Sequence, residues 1–215
     1  MAPATALGYY DDGVVTVLVE QRMIKIKAGA VVVATGAHER HLPFVNNDLP
    51  GIYGAGAVQT LMNVYGIVPA RRVLMVGAGN IGLIVSYQLR QAGVGVALIV
   101  EAAPTIGGYL VHASKVRRLG VPILTRATVK AAYGRTQVEK AVICRLDEEW
   151  REVPGSEHEL EVDAICLAVG LSPLVELLWQ ARTAMVYVPE LGGHVPLRDD
   201  KMETTVPGLY VAGDA

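Results

Sequence analysis

The sequence predicts an α/β fold built on a parallel β-sheet, and three observations support that prediction. Apolar, strand-like runs alternate with segments of helical spacing between residues 71 and 125, as in consecutive βαβ units. Glycine ends each of the two helical segments in this region, at Gly93 and Gly120. The hydrophobic period then changes to two between residues 127 and 163, which predicts an antiparallel meander.

The first part of the chain is predicted to form three strands and a helix. Residues 13–20 are apolar and β-branched, and residues 23–27 alternate isoleucine with lysine, as a half-buried antiparallel strand does. Residues 30–36 are apolar on both faces, which is typical of a central strand. A polar connector with proline follows at 37–51, and apolar residues at helical spacing predict a helix over 55–65.

The same patterns predict the remaining elements. Strands are expected at 71–76, 95–100, 121–125, 127–134, 138–146, 158–163, 164–170 and 209–212, and helices at 80–93, 109–120 and 172–181. We expect the strands at 30–35 and 209–212 to meet in parallel.

Composition argues against several classes of protein. The formal net charge of −2, with lysine and arginine scattered along the chain, provides no basic surface for nucleic acid. The first residues lack a basic segment followed by an apolar core, and polar residues interrupt the apolar stretch 73–89. We therefore expect a cytoplasmic protein with no integral membrane segment. No His, Cys or carboxylate cluster has metal-ligand spacing, so no metal site is predicted.

The nucleophilic and titratable residues do not mark a catalytic site. Cys144 and Cys166 lie within apolar runs, which predicts two buried thiols in a reducing compartment rather than a redox pair. None of the five histidines has a Cys, Ser or carboxylate partner marked by its spacing. Catalytic residues therefore remain unknown at this level.

The most specific motif is GAGNIG, the glycine loop (residues 77–82). A strand leads into it, a helix begins inside it and a second strand follows, as in dinucleotide-binding βαβ units. Gly77 would permit the tight turn, Gly79 would let the backbone approach a pyrophosphate, and Gly82 would let helix and strand pack closely. The predicted site residues here are Gly77, Ala78, Gly79, Asn80, Ile81 and Gly82. The alternative is a glycine-rich turn with no ligand.

Glu101 lies at the position where a dinucleotide-binding βαβ unit carries an acidic residue. Glu101 ends the second strand, about 20 residues beyond the last glycine, and could accept hydrogen bonds from the adenosine ribose hydroxyls. Its charge would repel a 2′-phosphate, and no arginine follows it in residues 102–108. These features favour NAD(H) over NADP(H). The alternative is a solvated acid at the end of a strand.

Taken in order, these elements resemble the pyridine nucleotide-disulfide oxidoreductase superfamily of flavoproteins over essentially the whole chain. The resemblance lies in VVVATGAHER (31–40), the glycine loop, AICLAVGLSP (164–173) and TTVPGLYVAGDA (204–215). It implies a three-layer Rossmann-like NAD(H)-binding domain with an antiparallel β-meander, inserted in an incomplete FAD-binding domain. The implied boundaries are 1–44 and 172–215 for the FAD-binding parts and 45–171 for the NAD(H)-binding domain. No second GxGxxG is present, so the chain is expected to be part of a larger flavoprotein.

The resemblance also implies further contacts with the cofactors. Asp214 would bond the ribityl chain of FAD, and Gly213 would allow its close approach; the alternative for Asp214 is a polar cap on a following helix, which is compatible with that role. Residues 38–40 would lie near the flavin, and Arg40 would contact a cofactor phosphate or form a linker ion pair. The other residues implied to bind cofactor are Thr35, Gly36 and Gly170.

Within the superfamily, residues 36–82 resemble the flavin- and NAD-binding subunits of amine and amino-acid oxidising complexes. These include sarcosine oxidase α, opine oxidase A, dye-linked proline dehydrogenase α and a hydrogen cyanide synthase subunit. The resemblance implies hydride transfer between nicotinamide and flavin, with FAD and NAD(H) as cofactors, in a hetero- or homo-oligomer that receives a small amine or amino-acid substrate through other subunits. The chain by itself is expected to be inactive. The alternative is a non-catalytic or regulatory dinucleotide-binding scaffold.

Overall fold

The computed structural model of the protein describes residues 3–215, which separate into two compact units. One unit is Glu39–Gly170, and the other joins the chain up to His38 with Leu171–Ala215. The strands are β1 (Thr5–Tyr9), β2 (Val14–Val19), β3 (Arg22–Lys27), β4 (Val31–Val33), β5 (Ala37–Glu39), β6 (Ile52–Gly54), β7 (Arg72–Val76), β8 (Gly95–Glu101), β9 (Ile123–Thr125), β10 (Ala127–Tyr133), β11 (Lys140–Arg145), β12 (His158–Glu161), β13 (Ala164–Leu167), β14 (Leu171–Pro173), β15 (Met185–Val188), β16 (Gly193–Pro196) and β17 (Leu209–Val211). The helices are α1 (Ala55–Asn63), α2 (Asn80–Gln91), α3 (Leu110–Arg118) and α4 (Glu176–Gln180), with a 3-10 turn at Pro189–Leu191.

The unit Glu39–Gly170 is built on a five-stranded parallel sheet with strand order β6-β13-β7-β8-β9. The α/β fold with a parallel sheet is therefore confirmed. Three further strands, β10, β11 and β12, form the predicted antiparallel meander.

Alternation along the central strand β7 builds three layers in this unit. Val73 and Met75 belong to an apolar cluster with residues of α1, α2 and α3. Leu74 and Val76 belong to a second cluster, with the meander. All four side chains are buried, and full burial of such a side chain typically contributes about 1.5–3 kcal/mol. Period-two packing on both faces of β7 thus holds the strand from which the glycine loop departs.

The second unit contains smaller sheets. Strands β1, β2 and β3 form an antiparallel sheet, β15 pairs with β16, and β5 pairs with β14. Strand β17 pairs in parallel with β4, from Leu209 opposite Val31 to Val211 opposite Val33. The predicted parallel pairing of these two segments is confirmed. The antiparallel arrangement predicted for residues 13–20 and 23–27 is also confirmed, by the pairing of β2 with β3.

Some predicted elements are wrong in extent or type. The segment 30–36 is not a central strand: only Val31–Val33 is extended in a sheet, β17 is its partner within residues 3–215, and Val32 is 61% exposed. The predicted helix 172–181 begins only at Glu176, because Leu171–Pro173 forms β14 and the Leu174 N–H bonds to the Gly36 carbonyl. Proline at 173 favours an extended residue 172. No helix within residues 3–215 combines the length and apolar character needed to span a membrane.

Candidate functional site

The glycine loop leaves the carboxyl end of β7, in the middle of the parallel sheet. From β7 the chain continues to β8 and β9 on one side, while β13 lies on the other. This is the switch point of an open α/β sheet, where a crevice forms beyond the strand ends. The Gly77 N–H bonds to the Val100 carbonyl at 2.8 Å, and the Leu83 N–H to the Gly79 carbonyl at 3.1 Å starts helix α2.

The three glycines of the loop have different surroundings. Gly77 has φ +107°, and a Cβ on it would overlap the Ala168 carbonyl, lying 2.9 Å from its carbon. A Cβ on Gly82 would lie 3.0 Å from the Gly77 carbonyl carbon. A Cβ on Gly79 would meet no heavy atom within 4 Å. Packing therefore requires glycine at 77 and 82, whereas at 79 the bare backbone faces open space that a ligand could fill.

The carboxylate of Glu101 points at the glycine loop. Its Oε2 accepts the Ala78 N–H at 2.7 Å, and its Oε1 accepts the Ala103 N–H at 3.0 Å. Each carboxylate oxygen has a second lone pair, so both can still accept hydroxyl donors. The acid thus holds the loop in addition to the ribose-binding role predicted for it. Glu101 takes the Ala78 N–H, and the N–H groups of Gly79, Asn80 and Ile81, at the start of α2, are the ones that could bind an anion.

A second segment lies against the glycine loop. The Gly108 N–H bonds to the Ala78 carbonyl at 3.0 Å, and the Tyr109 N–H bonds to Oδ1 of Asn80 at 2.8 Å. A Cβ on Gly108 would lie 2.6 Å from Cδ1 of Leu83. The Asn80 side chain therefore fixes the start of α3 beside the loop, a role that the glycine motif does not reveal.

A second strand–glycine–helix junction, between β6 and α1, holds a carboxylate of the protein itself. Oε1 of Glu39 accepts the Gly56 N–H at 2.6 Å, and Oε2 accepts the Ala57 N–H at 3.2 Å. Gly54 makes room for it, since a Cβ there would lie 2.6 Å from Cδ of Glu39. Because it accepts these two N–H groups, Glu39 is a cap of α1. Burial raises the pKa of the nearby Cys166 thiol, and the Glu39 charge adds to that rise.

Both cysteines are buried and free, as predicted. Burial also raises the pKa of Cys144, with a further contribution from the Glu152 carboxylate. Both thiols are therefore protonated at neutral pH and unsuited to nucleophilic chemistry. Within residues 3–215, no three His, Cys, Asp or Glu side chains converge in a way that could hold a metal ion.

The residues implied by resemblance lie at strand ends in both units. In one unit, Gly36 (φ +72°) and Gly213 (φ +76°) follow the paired strands β4 and β17, and a Cβ on either would meet no heavy atom within 4 Å. The Thr35 hydroxyl donates to the Leu174 carbonyl at 2.5 Å, and Asp214 is exposed.

In the other unit, the Arg40 N–H bonds to the Gly170 carbonyl at 3.0 Å. Gly170 has φ +118°, and its Cβ would lie 3.5 Å from Cδ of Arg40. The cofactor-binding roles of these residues stay predictions.

Comparison with known proteins identifies the family. The family model described as Pyridine nucleotide-disulphide oxidoreductase matches residues 5–215. The chain belongs to this family. It is 30% identical over 195 residues to the alpha subunit of sarcosine oxidase from Corynebacterium sp. (strain P-1), covering 90% of this chain and 19% of the relative. It is 29% identical over 209 residues to an opine oxidase subunit from Agrobacterium tumefaciens (strain Ach5), covering 93% of this chain and 41% of the relative.

A solved structure agrees with these relatives. The L-proline dehydrogenase of P. horikoshii superposes with a TM-score of 0.66 at 26% identity, over 98% of this chain and 35% of that one. The predicted likeness to subunits of amine and amino-acid oxidising complexes is thus confirmed. The chain spans between a fifth and about two fifths of the length of these relatives.

Proposed function

We propose that the chain is the NAD(H)-binding portion of an FAD-dependent oxidoreductase that transfers a hydride between nicotinamide and flavin. We further propose that it works in a subunit of an amine or amino-acid dehydrogenase or oxidase. The observation that carries the proposal is the contrast within the glycine loop. Gly77 and Gly82 are demanded by packing, but Gly79 opens to solvent at the switch point of the sheet. Neither packing nor the extended backbone requires glycine at 79, so the close approach of a ligand is the role that we propose for it.

Electrostatics in the same loop favour a diphosphate beside a ribose. The first N–H groups of α2 and the positive end of its dipole attract an anion. Glu101 is anchored by two backbone N–H groups, so its carboxylate is already oriented for ribose hydroxyls. Its negative charge next to the 2′ position disfavours NADP(H).

The FAD-binding role rests on the unit that contains β4 and β17. Parallel pairing brings their carboxyl ends to one edge, so residues 34–36 and 212–214 lie at the same edge. Open space at Gly36 and Gly213 would admit a close ligand, and Asp214 offers an acceptor for ribityl hydroxyls. We propose the boundaries 1–44 and 172–215 for the FAD-binding parts and 45–171 for the NAD(H)-binding domain.

The chemistry of the reaction comes from the cofactors, since bound nicotinamide and flavin supply the hydride donor and acceptor. The residues of the chain bind and orient. The first turn of α2 would hold the pyrophosphate, Glu101 would fix the rotation of the ribose, and Asn80 keeps the start of α3 against the loop.

Titration calorimetry of the chain with NADH, NADPH and FAD tests the proposal. We expect one NADH site, with NADPH about tenfold or more weaker because its additional phosphate meets Glu101. Glu101→Gln should reduce the difference in affinity between NADH and NADPH, since the negative charge is lost while one acceptor oxygen remains. Tight FAD binding without NADH binding would overturn the assignment.

A further inference from the structure

Arg126 lies at the end of the parallel sheet next to Glu101, although the two residues are 25 positions apart in sequence. Strand β9 ends at Thr125, which is paired with Glu101 of β8. The Arg126 N–H bonds to the Ala103 carbonyl at 3.2 Å, and the Ala103 N–H bonds to Glu101. The segments that follow β8 and β9 are thus joined at the carboxyl edge of the sheet.

If NAD(H) binds as in the proposed function, on which this inference rests, the adenosine end of the nucleotide lies near Arg126. The pyrophosphate belongs at the glycine loop after β7, and the adenosine ribose at Glu101 after β8. Neighbouring strands are about 4.8 Å apart, so the adenine ring extends beyond the ribose towards the end of β9. That end carries Arg126.

The surroundings of Arg126 leave its side chain available. Residues 102 and 103 are both alanine, so small side chains line the opposing segment. The Arg126 side chain is 40% exposed, and its ion pair is a long one, with Nη2 3.8 Å from Oε1 of Glu148, itself 84% exposed. An exposed pair of this kind contributes little, so releasing it costs little.

The backbone of Arg126 is held in an unusual conformation. Its φ is +51°, in the left-handed region that non-glycine residues seldom adopt. The Leu146 N–H bonds to the Arg126 carbonyl at 2.8 Å. With both backbone groups bonded, the backbone from which the side chain departs is held at the sheet edge.

We propose that Arg126 stacks its planar guanidinium on the adenine ring of bound NAD(H), and so contributes to recognition of the adenosine half of the nucleotide. A guanidinium lies well against aromatic rings because it is flat and weakly hydrated, properties that lysine lacks. Glu101 and Arg126 then have separate tasks, one on the ribose and one on the base.

Arg126→Ala and Arg126→Lys test this with three probes: NADH, AMP and reduced nicotinamide mononucleotide. Arg126→Ala should weaken the binding of NADH and of AMP by the same factor, about 2- to 30-fold, the range of a cation–π contact. Binding of the mononucleotide, which lacks adenosine, should stay unchanged. Arg126→Lys should show most of the same loss in affinity for NADH and AMP, because lysine keeps the positive charge but lacks the planar guanidinium.

Glu148→Ala is the matched control, since it removes the ion pair and leaves Arg126 in place; NADH affinity should not fall. Wild-type affinity for NADH in Arg126→Ala or Arg126→Lys would overturn the stacking proposal, as would an equal loss for the mononucleotide. The proposed function fails separately, if the unaltered chain binds no NADH at all.

Discussion

Two strand–glycine–helix junctions lie in the same parallel sheet, and they differ in what lies next to the first N–H groups of the helix. Between β6 and α1, glycines at 54 and 56 make room for the Glu39 carboxylate, which accepts the N–H groups of Gly56 and Ala57. Between β7 and α2, Gly79 faces open space and the nearby acid, Glu101, bonds one residue before it, at Ala78.

The difference shows why a glycine-rich junction is not by itself a ligand site. The N–H groups at a helix start need an acceptor, and neither α1 nor α2 has a side-chain cap at its N-cap residue. At α1 the protein supplies the acceptor from a distant part of the chain. At α2 the open space at Gly79 would admit an anion from outside, which is the basis of the proposed dinucleotide site.

The largest expected effect is at Gly82. In Gly82→Ala the new Cβ overlaps the Gly77 carbonyl, which is backbone and cannot move aside. We expect a loss of about 3 kcal/mol in the free energy of unfolding, the upper range for overpacking, measured by urea denaturation. Gly107→Ala is the control, because no heavy atom lies within 4 Å of its Cβ. Equal stability of the two variants would mean that the glycine loop packs differently.

A smaller effect is expected at Glu39. Glu39→Ala leaves the N–H groups of Gly56 and Ala57 without their acceptor, which should cost about 1–2 kcal/mol of unfolding free energy. Glu39→Gln keeps one acceptor oxygen and should lose less. Because the two junctions are separate, NADH affinity should stay the same in both variants. A loss of NADH affinity with unchanged stability would show that Glu39 serves the nucleotide site instead.

Much of the parallel sheet could be predicted from sequence, because the spacing of apolar residues and the positions of glycine indicate the same elements from Arg72 to Thr125. Elements whose hydrogen-bond partners are distant in sequence could not be predicted in this way. Helical spacing in 172–181 predicted a longer helix, but a hydrogen bond from Leu174 to Gly36 holds the first residues extended. Strands β15 and β16 form a short hairpin around a 3-10 turn that no periodic pattern marks.

The candidate site divides in the same way. The glycine loop and Glu101 have a fixed spacing that sequence can reveal, and the contacts within the loop agree with it. Glu39 contacts Gly56 and Ala57, and Arg126 lies next to Ala103, only because the fold brings these distant parts of the chain together. One signal for Glu39 was present: a helix predicted from residue 55 follows no Ser, Thr, Asp or Asn cap, so its first N–H groups need a remote acceptor.

Gly79→Ala should have the smallest effect on stability and provides the most direct test. Its backbone, φ −70° and ψ 178°, suits any residue, so unfolding free energy should fall by less than about 1 kcal/mol. Gly29→Ala is matched to it, because that Cβ also meets nothing within 4 Å. We predict that NADH affinity, measured by calorimetry, falls about tenfold or more in Gly79→Ala and is unchanged in Gly29→Ala. Unchanged NADH affinity in a folded Gly79→Ala would contradict the account.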